Sequence, residues 1–528
     1  MRRMSKLSAA GPIVFGCAFL WMGAAHAQRG GAAEWTTIGG DAQRSSWLRT
    51  DPKISKESMQ KPGFQFLWKI KFNNDPKQLN ALTPPSILGA YIGYRGFRSL
   101  AFVGGSSDNV FAIDTDLGRT EWQKHLSGAG PAAGSWACPG GMTASLTRPT
   151  SAAFPGAALG GRGGRGRAAR GGVGDPGEGA VTIKEVNAAA ARAPAPAPPA
   201  GRGRGAAAPN MFARGASWIY AVTSDGMLHS LYVSNGEEPQ PPVAFLPAGA
   251  DAHGLIVVDN VAYAATSGGC GGAADGLWAL DIASKEVHTW KSGSGGVAGS
   301  VGPAFGPEGE VYVATDGGEL VALEAKTLSL KNAYKAGLGF SSSPVLFQYK
   351  DKTLIAAATK DGQIHLLDAA ALATPLSKTP ANSANFAPAA LASWQDSAGT
   401  RWLLAPSATA IVAWKVADQN GTPSLQPGWT SRDMVSPLPP MIINGVVFAV
   451  SSGEFRSSDL KMTAAQRAQR STPAVLYAVD SANGKELWNS GKTMTSFIHG
   501  GGLSGGSSQI YLGTYDGTFY AFGFWIEH

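Results

Sequence analysis

The chain has 528 residues, among them 70 glycines, 33 prolines and 15 tryptophans, and only 15% of its residues are charged. This composition favours many short strands joined by tight turns and argues against a helical bundle. Residues 1–27 contribute +3 and residues 151–215 contribute +6 to the net charge of +7, so the remainder has a charge of −2. A near-neutral folded part excludes the basic surface that nucleic-acid binding requires.

The first 27 residues predict a cleavable export signal. Three cations lie within the first six residues, an apolar run extends from Pro12 to Ala25, and Ala-His-Ala at 25–27 matches an A-x-A cleavage site. The apolar run is short for a membrane span, and no other stretch approaches 18 apolar residues. We therefore expect a periplasmic or secreted protein with no transmembrane segment after cleavage. Lipid attachment at Cys17 and twin-arginine export are weaker alternatives.

Cysteine usage agrees with export, because an oxidising compartment favours disulfides. Cleavage would leave two cysteines, Cys138 and Cys270, and neither belongs to a CxxC motif. The pattern predicts a Cys138–Cys270 disulfide and gives almost no support to a zinc site, so no metal site is assigned.

The N-terminal region predicts an arm followed by a single strand. Residues 28–63 are expected to form an extended arm, which contains WTTIGGDAQRSSW at 35–47. Residues 64–72, FQFLWKIKF, alternate apolar and polar side chains as a strand does. No partner strand lies next to this segment in the sequence, so its partner is expected to come from a distant part of the chain.

The remaining chain repeats one strand-turn-strand unit, best formed in AVLYAVDSANGKELW at 474–488. Asp480 suits the turn because its carboxylate can accept hydrogen bonds from the turn's N–H groups, and Gly484 can adopt a positive φ. Five of the seven gaps between equivalent positions are 43–49 residues, which is the period of a propeller. The equivalent turn positions are 114, 232, 281, 324, 368, 415, 480 and 523.

Two further strands precede each unit, which makes four strands per repeat. The nearer one ends in a Gly/Asp/Ser turn, and the farther one has small side chains that suit the crowded centre of a ring. Eight such repeats predict an all-β fold, an eight-bladed β-propeller of four-stranded antiparallel blades, over residues 64–528. The last repeat lacks its outermost strand, so FQFLWKIKF is expected to close the ring and hide the sheet edges.

Two of the gaps are long because they contain insertions. Residues 150–215 are rich in Gly, Ala, Arg and Pro and almost lack aliphatic and aromatic side chains, so we expect them to be disordered. Their Arg-Gly runs resemble RNA-binding tails, but a flexible loop is the simpler interpretation for an exported protein. Residues 453–473, in blade 7, are expected to hold a short helix capped by Ser458 and running to Arg470.

The units AIDTDLGRTEW, ALDIASKEVHTW and AVDSANGKELW resemble the A-x-D-x-x-T-G-x-x-x-W repeat of the pyrroloquinoline quinone (PQQ) propeller family. WTTIGGDAQRSSW also resembles a segment that opens several quinoproteins. The family includes quinoprotein alcohol dehydrogenases and non-catalytic relatives such as the outer-membrane β-barrel assembly lipoprotein. The resemblance covers roughly residues 64–528 without the insertions, and it implies tryptophans that dock between blades, here Trp122, Trp290 and Trp488.

The chain departs from the family's dehydrogenases in two ways. Those that hold PQQ and calcium usually have two adjacent cysteines under the cofactor, and this chain has no Cys-Cys pair. Their calcium ligands and catalytic aspartate match no motif here. The resemblance leaves PQQ with calcium open as a cofactor, and no cofactor is assured.

The candidate binding face follows from antiparallel alternation. Loops that lead into the innermost strands and turns between the second and third strands must lie on one face of the ring, where propeller ligands usually bind at the channel mouth. The aspartates of the D-G turns, at 225, 316, 361 and 516, are expected to form hairpins and not to bind calcium. The candidate ligand-binding residues on this face are Asn80, Trp136, His253, Asn385, Arg432, Asp433 and His499.

Alternatives remain open for these residues and for the protein. His253 and His499 could bind a carboxylate or act as a base, or could be hydrogen-bonded structural histidines. Arg432 and Asp433 could bind an anion and a metal ion, or form a local salt bridge. The sequence favours an exported, monomeric binding or scaffold protein that uses its channel face to bind an unknown small molecule or envelope protein. The alternative is a PQQ-dependent dehydrogenase of alcohols or sugars.

Overall fold

The computed structural model describes residues 34–74, 82–93, 96–126, 138–154, 218–381, 388–457, 459 and 461–525. The strands of these residues form eight sheets, which are the blades of an eight-bladed β-propeller. The antiparallel four-stranded pattern predicted from the repeat holds in most blades. The predicted fold class is therefore confirmed.

Within each blade the strands follow one another from the centre of the ring outwards. Blades 1 to 4 comprise β3 (Ser86–Gly93), β4 (Gly96–Gly105), β5 (Asn109–Asp114) and β6 (Arg119–His125); β8 (Trp218–Val222), β9 (Met227–Tyr232) and β10 (Val243–Ala244); β11 (Asp251–Val258), β12 (Val261–Ser267), β13 (Gly276–Asp281) and β14 (Val287–Lys291); and β15 (Ala304–Phe305), β16 (Val311–Ala314), β17 (Glu319–Leu323) and β18 (Leu330–Lys335). Blades 5 to 8 comprise β19 (Val345–Tyr349), β20 (Lys352–Ala358), β21 (Ile364–Asp368) and β22 (Ser377–Lys378); β23 (Ala392–Gln395), β24 (Arg401–Pro406), β25 (Ile411–Gln419) and β26 (Thr422–Thr430); β27 (Met441–Ile443), β28 (Val446–Ser451), β29 (Val475–Asp480) and β30 (Glu486–Asn489); and β31 (Ser504–Gly506), β32 (Gln509–Gly513) and β33 (Thr518–Gly523) with β2 (Gln65–Lys71) outermost.

The ring closes as the sequence predicts. Strand β2 pairs antiparallel with β33, so a strand from the start of the chain completes the last blade. A short helix, α1 (Lys56–Met59), precedes β2 and is capped by Ser55. Closure satisfies the backbone groups of the sheet edge, which would otherwise be free to pair with another chain.

Blade 2 departs from the four-stranded pattern. Its sheet contains three strands among the described residues, and an antiparallel bridge between Thr147 and Tyr220 occupies the place of the innermost strand. The chain then passes to blade 3, where β7 (Pro149–Thr150) pairs in parallel with Val257–Val258. The segment between blades 1 and 3 therefore belongs to two sheets.

The long insertion begins later than predicted. Ala152 and Phe154 are buried, and the Ala152 carbonyl accepts a hydrogen bond of 2.7 Å from the Gln43 side chain. Packing therefore continues to residue 154. The rest of the segment predicted to be disordered, residues 155–215, lies outside the described part of the chain.

The helix predicted in blade 7 is present as α2 (Ala464–Arg470). Its N-cap is Thr463 and not Ser458, which lies outside the described residues. The Thr463 hydroxyl accepts a hydrogen bond from the Gln466 N–H, and the Gln466 side chain accepts one from the Thr463 N–H. This reciprocal capping box determines where the helix begins.

Tryptophans on outer strands dock onto the next blade. Trp122 donates from Nε1 to the Val233 carbonyl at 2.9 Å, across from blade 1 to blade 2. Trp488 makes an edge contact with Phe522 of blade 8, with ring centroids 5.8 Å apart. Trp290 packs against the apolar cluster that contains residues of blades 3 and 4. These are the three tryptophans for which the sequence predicts a docking role.

Gly484 shows why this turn favours glycine. Its φ is +72°, and a Cβ at this position would overlap the indole of Trp429, which docks from blade 6. We expect Gly484→Ala to cost about 2–4 kcal/mol, from left-handed strain plus the overlap. Gly491→Ala is the matched control, because its φ is +56° and no atom lies within 4 Å of the added Cβ. Urea unfolding should show a cost of only about 1 kcal/mol for the control; equal costs would contradict a docking role.

The centre of the ring is occupied by residues 34–48, called the channel arm below. Innermost strands donate backbone N–H groups to carbonyls of the arm, and β1 (Trp47–Leu48) pairs in parallel with β27. The arm thus satisfies backbone donors that would otherwise face the channel. The donor and acceptor pairs are Ile87 with Trp35, Arg148 with Thr36, Phe305 with Ala42, Leu346 with Gln43, Ser393 with Ser45 and Ile442 with Ser46, at N···O distances of 2.7–3.0 Å.

Candidate functional site

A cavity of about 290 Å³ opens at one end of the channel, and it is called the mouth cavity below. Its walls come from loops that lead into innermost strands and from the turns that follow β4 and β12. These are the two kinds of segment that antiparallel alternation places on one face. The lining residues used below are Ile38, Met142, Thr143, Asp251, His253, Val297, Ser300, His499 and Gly500.

The channel arm supplies the floor of the mouth cavity. Ile38 lines the cavity and packs in a small apolar cluster with Val301 and Ala390. Because the arm also bonds to the innermost strands, the mouth cavity is closed below by protein. The cavity is at the small end of the range of about 300–1,000 Å³ that is typical of ligand pockets.

Arg44 of the channel arm places a buried positive charge next to this floor. It is 1% exposed, and its guanidinium donates to the carbonyls of Pro303 (2.8 Å), Ile38 (2.7 Å) and Gly254 (2.9 Å) and to the Thr37 hydroxyl (3.0 Å). Burial lowers the pKa of Arg44 to about 9, so the group remains charged at neutral pH.

His253 reaches the mouth cavity from a bulge in β11. The register of β11 shifts between His253 and Ile256, and Gly254 has a φ of +64°. A bulge of this kind redirects a side chain locally. The atom Nε2 is enclosed and has no hydrogen-bond partner among the described residues. Burial lowers the pKa of His253 to about 4, and the nearby charge of Arg44 also lowers this pKa. A hydrogen bond to the Val297 backbone acts in the opposite direction and raises it.

Asp251 lies two residues before His253 on the same strand and also lines the mouth cavity. Burial raises the pKa of Asp251 to about 6, although a hydrogen bond from Thr143 acts in the opposite direction. At neutral pH the wall therefore presents an ionised carboxylate beside a neutral imidazole. Sequence reasoning missed Asp251, and its position two residues before a candidate histidine in a strand was the available signal.

His499 enters the cavity from the loop that leads into β31, and a buried carboxylate holds it there. Its Nδ1 contacts Oε1 of Glu454, whose side chain is only 3% exposed. Glu454 also contacts Arg467 of α2 (3.1 Å) and Arg456 (3.7 Å). These four residues are called the Glu454 cluster below. Burial acts to raise the pKa of Glu454, but the hydrogen bond and charge of His499, with both arginines, bring it below the ordinary value.

A second cavity of about 70 Å³ adjoins the mouth cavity, because Ser300 and Gly500 line both. Arg456 lines the second cavity. The blade 7 insertion thus contributes to the mouth in two ways. It supplies Arg456, which lines the second cavity, and it supplies Glu454, which contacts His499, together with Arg467, which contacts Glu454. The sequence predicted the insertion and its helix but not this role, because the contact from Glu454 to His499 joins two different blades.

The other predicted site residues do not join this constellation. Arg432 contacts Glu486 of the outer strand β30, and its guanidinium lies over the Tyr477 ring at 4.8 Å. The salt bridge of Arg432 is therefore with Glu486 and not with Asp433, the partner expected from the sequence. Both Arg432 and Asp433 are exposed, and neither lines the mouth cavity or the second cavity. The remaining candidates, Asn80, Trp136 and Asn385, lie outside the described residues.

The predicted disulfide is present between Cys138 and Cys270, with a Cα–Cα distance of 5.4 Å. It ties the loop before blade 2 to the 3₁₀ turn Cys270–Gly272 of blade 3. Pro139 and Gly140, directly after Cys138, line the mouth cavity. The disulfide therefore anchors one wall of the cavity.

Asp251 and His253 should affect stability with opposite pH dependence. The folded-state pKa of His253, about 4, lies below its ordinary 6.5, so its contribution is lost as pH falls from about 6.5 to 4. The folded-state pKa of Asp251, about 6, lies above its ordinary 3.8, so its contribution is lost as pH rises from about 4 to 6. The two effects should largely cancel in the wild-type protein.

Single variants should separate these effects. Relative to wild type, His253→Gln should gain about 1–2 kcal/mol on going from pH 6.5 to 4, and Asp251→Asn a similar amount on going from pH 4 to 6. These figures are below the full shifts because both side chains are partly exposed. Urea unfolding at a series of pH values provides the measurement. Parallel pH profiles for wild type and both variants would contradict the assignment.

Comparisons with known proteins support the fold alone. No family model and no curated protein sequence matches the chain. Among solved structures, the quinohemoprotein alcohol dehydrogenase of Pseudomonas putida HK5 has a TM-score of 0.56 at 11% identity, over 94% of this chain and 81% of that one. The quinohemoprotein alcohol dehydrogenase of Comamonas testosteroni has 0.53 at 13%, with the same coverage of 94% and 81%. A europium-containing methanol dehydrogenase has 0.52 at 11%, over 93% and 98%.

No group of three or more His, Cys, Asp and Glu side chains in the described residues is arranged to hold a metal ion. In the same part of the chain, no helix is long and apolar enough to cross a membrane.

Proposed function

We propose that this protein binds a small molecule in the mouth cavity. The observation that supports the proposal is the convergence of His253 from blade 3 and His499 from blade 8 on one cavity with a closed floor. Both histidines have a polar atom held in place by a neighbour, and apolar side chains such as Ile38 and Met142 line the same space. Apolar walls with a few oriented polar groups are the usual composition of a ligand site.

The predicted export signal would place this site in the periplasm or outside the cell. The ligand would then be a small molecule of that compartment. Binding to an envelope protein through the same face is the scaffold form of the proposal, and it would use the rim around the mouth and not the cavity itself.

A ligand screen by thermal shift tests the proposal. We expect at least one compound of a diverse small-molecule library to stabilise the wild-type protein, and we expect His253→Gln/His499→Gln to abolish the shift. Arg432→Gln is the control, because Arg432 is an exposed, glutamate-paired arginine away from the mouth. An absence of any stabilising compound, or shifts that persist in the double variant, would overturn the proposal.

The second candidate function is a PQQ-dependent dehydrogenase, which the fold similarity to quinohemoprotein and methanol dehydrogenases favours. The fit of the residues is incomplete. The described residues provide no ligand group of three for the metal ion that would accompany the quinone, and the disulfide joins cysteines of different blades at the cavity rim. Arg456 and His499 would be partners for the carboxylates of the quinone. The described residues, however, provide no ligand group for the metal ion.

Incubation with PQQ, alone and with calcium or a lanthanide ion, distinguishes the two functions. The binding proposal predicts no reduction of an electron-accepting dye when alcohols or sugars are added to the incubated protein. Dye reduction that requires both PQQ and the metal ion would replace binding by dehydrogenation as the proposed function.

A further inference from the structure

We infer that the ligand of the mouth cavity is a small organic carboxylate, bound at one end by Arg456 and donating hydrogen bonds at its other end to Asp251 and His253. The inference rests on the proposed function and names its ligand class. The first observation is the excess of positive charge in the Glu454 cluster, in which a single carboxylate contacts two arginines and a histidine.

Arg456 is the exposed member of this cluster. Its side chain is 50% exposed, and its Nε lies 3.7 Å from Glu454, whereas the nearly buried Arg467 approaches Glu454 to 3.1 Å. Neither terminal nitrogen of Arg456 has a hydrogen-bond acceptor among the described residues. A guanidinium held through Nε presents these two nitrogens as a fork, which matches a carboxylate with two parallel hydrogen bonds.

The Glu454 cluster connects the two cavities, because His499 lines the mouth cavity and Arg456 lines the second cavity. Both residues contact Glu454, and Gly500, which follows His499 in the chain, lines both cavities. An anion at the junction would therefore meet the guanidinium of Arg456, which is paired with the buried carboxylate of Glu454.

The part of the mouth cavity lined by Asp251 and His253 requires donors from the ligand. Asp251, with its pKa near 6, is an acceptor at neutral pH. His253 donates to the Val297 backbone, so its enclosed and unpartnered Nε2 is an acceptor in the neutral ring. Two acceptors suit a hydroxyl or amine group and would repel a second anion. The ligand should thus have one carboxylate and, at its far end, a neutral donor.

The size and lining of the mouth cavity favour an organic anion over inorganic phosphate. Ile38, Leu82, Met142 and Val297 provide apolar contacts in the same cavity, and a carbon skeleton would fill this space. The buried charge of Arg44 next to the floor adds an attraction for anions that does not depend on their shape.

Isothermal titration of wild-type protein with lactate, gluconate and 4-hydroxybenzoate, each beside its carboxamide, tests the inference. We expect at least one acid to bind, and its carboxamide to bind at least tenfold more weakly. Arg456→Gln should weaken binding of the acid at least tenfold and leave the carboxamide unchanged. Arg432→Gln is a matched control, since its side chain is 48% exposed and also contacts a glutamate.

The outcomes separate the inference from the proposed function. If the general library gives a neutral ligand that depends on His253 and His499 while no acid binds, the carboxylate inference is overturned and small-molecule binding stands. If neither the library nor the acids bind, both fail. Phosphate binding as tight as the best acid, or equal affinities of wild type and Arg456→Gln, would also overturn the inference.

Discussion

Arg44→Met is expected to lower the free energy of unfolding by about 3–5 kcal/mol, one of the two largest effects predicted for this protein. The guanidinium donates to carbonyls of blades 3 and 4 and to two groups of the channel arm. Three of these four acceptors are backbone carbonyls, which no compensating side-chain change can remove. Methionine would fill much of the volume but would leave the acceptors buried without donors.

Arg49→Met is the control for this experiment. Arg49 lies just beyond the channel arm, is 29% exposed and pairs with Asp41 at 3.3 Å, so its replacement should cost at most about 1 kcal/mol. Urea unfolding followed by tryptophan fluorescence gives both values. Equal losses in the two variants would contradict the large contribution assigned to the buried hydrogen bonds of Arg44.

Glu454→Gln is expected to cost about 3–4 kcal/mol at neutral pH and also to weaken ligand binding at the mouth. The change removes the buried charge that Arg467 and His499 contact, and the loss of one member of a buried ion pair is costly. Glu486→Gln is the matched control, because that carboxylate is 28% exposed and contacts Arg432 outside the mouth. Its cost should not exceed about 1 kcal/mol.

The effect of Glu454→Gln should depend on pH with a defined sign. The folded-state pKa of Glu454 lies below its ordinary value of 4.5, so its contribution is present above pH 4.5 and is lost as pH falls through the folded-state pKa. The difference in free energy of unfolding between wild type and variant should therefore become smaller as the pH falls below 4.5. A gap that stays constant from pH 7 to below pH 4 would show that the cost comes from repacking and not from charge.

A double variant provides a further check on the cluster. Arg467→Met alone should be destabilising, and Arg467→Met added to Glu454→Gln should cost less than the two single changes together, because the second change removes a buried charge that has already lost its carboxylate. Additive costs would indicate that Glu454 and Arg467 are not coupled.

The channel arm closes the central channel. An open channel would offer a path through the ring, whereas this arm closes the path and leaves a cavity at one end. The residues that close the channel, Ile38 and Arg44, belong to WTTIGGDAQRSSW, which the sequence placed only in an extended arm. The channel arm thus serves both the site and the stability of the ring, because it forms the floor of the mouth cavity and also accepts backbone hydrogen bonds from most blades.

The repeats could be predicted from the sequence because each turn is a local structure. Asp480 and Gly484 act within a few residues of each other, and the Gly484 position is further defined by a tryptophan that recurs with the blade. Closure by β2 also followed, since a lone strand at one end and a missing strand at the other can pair only with each other. The shared face of His253 and His499 followed from alternation alone.

Arg432 and Glu454 show where such inference ends. Both lie in segments between regular strands, where chain direction does not determine side-chain direction. Arg432 turns outward to Glu486 and Tyr477 on its own side of blade 7, whereas Glu454 turns inward to His499 of blade 8 and Arg467 of the insertion. No periodicity distinguishes the two cases.

The sequence by itself determined the eight-bladed ring, its closure, the disulfide pair and the face on which a site should lie, because these follow from repeated local patterns and from strand alternation. Only the tertiary structure decided which residues meet at the mouth. Asp251, the Glu454 cluster and the buried Arg44 come together through contacts between blades, the insertion and the channel arm. Such contacts depend on how distant surfaces pack, and a burial-driven pairing of single charged groups leaves no repeat in the sequence.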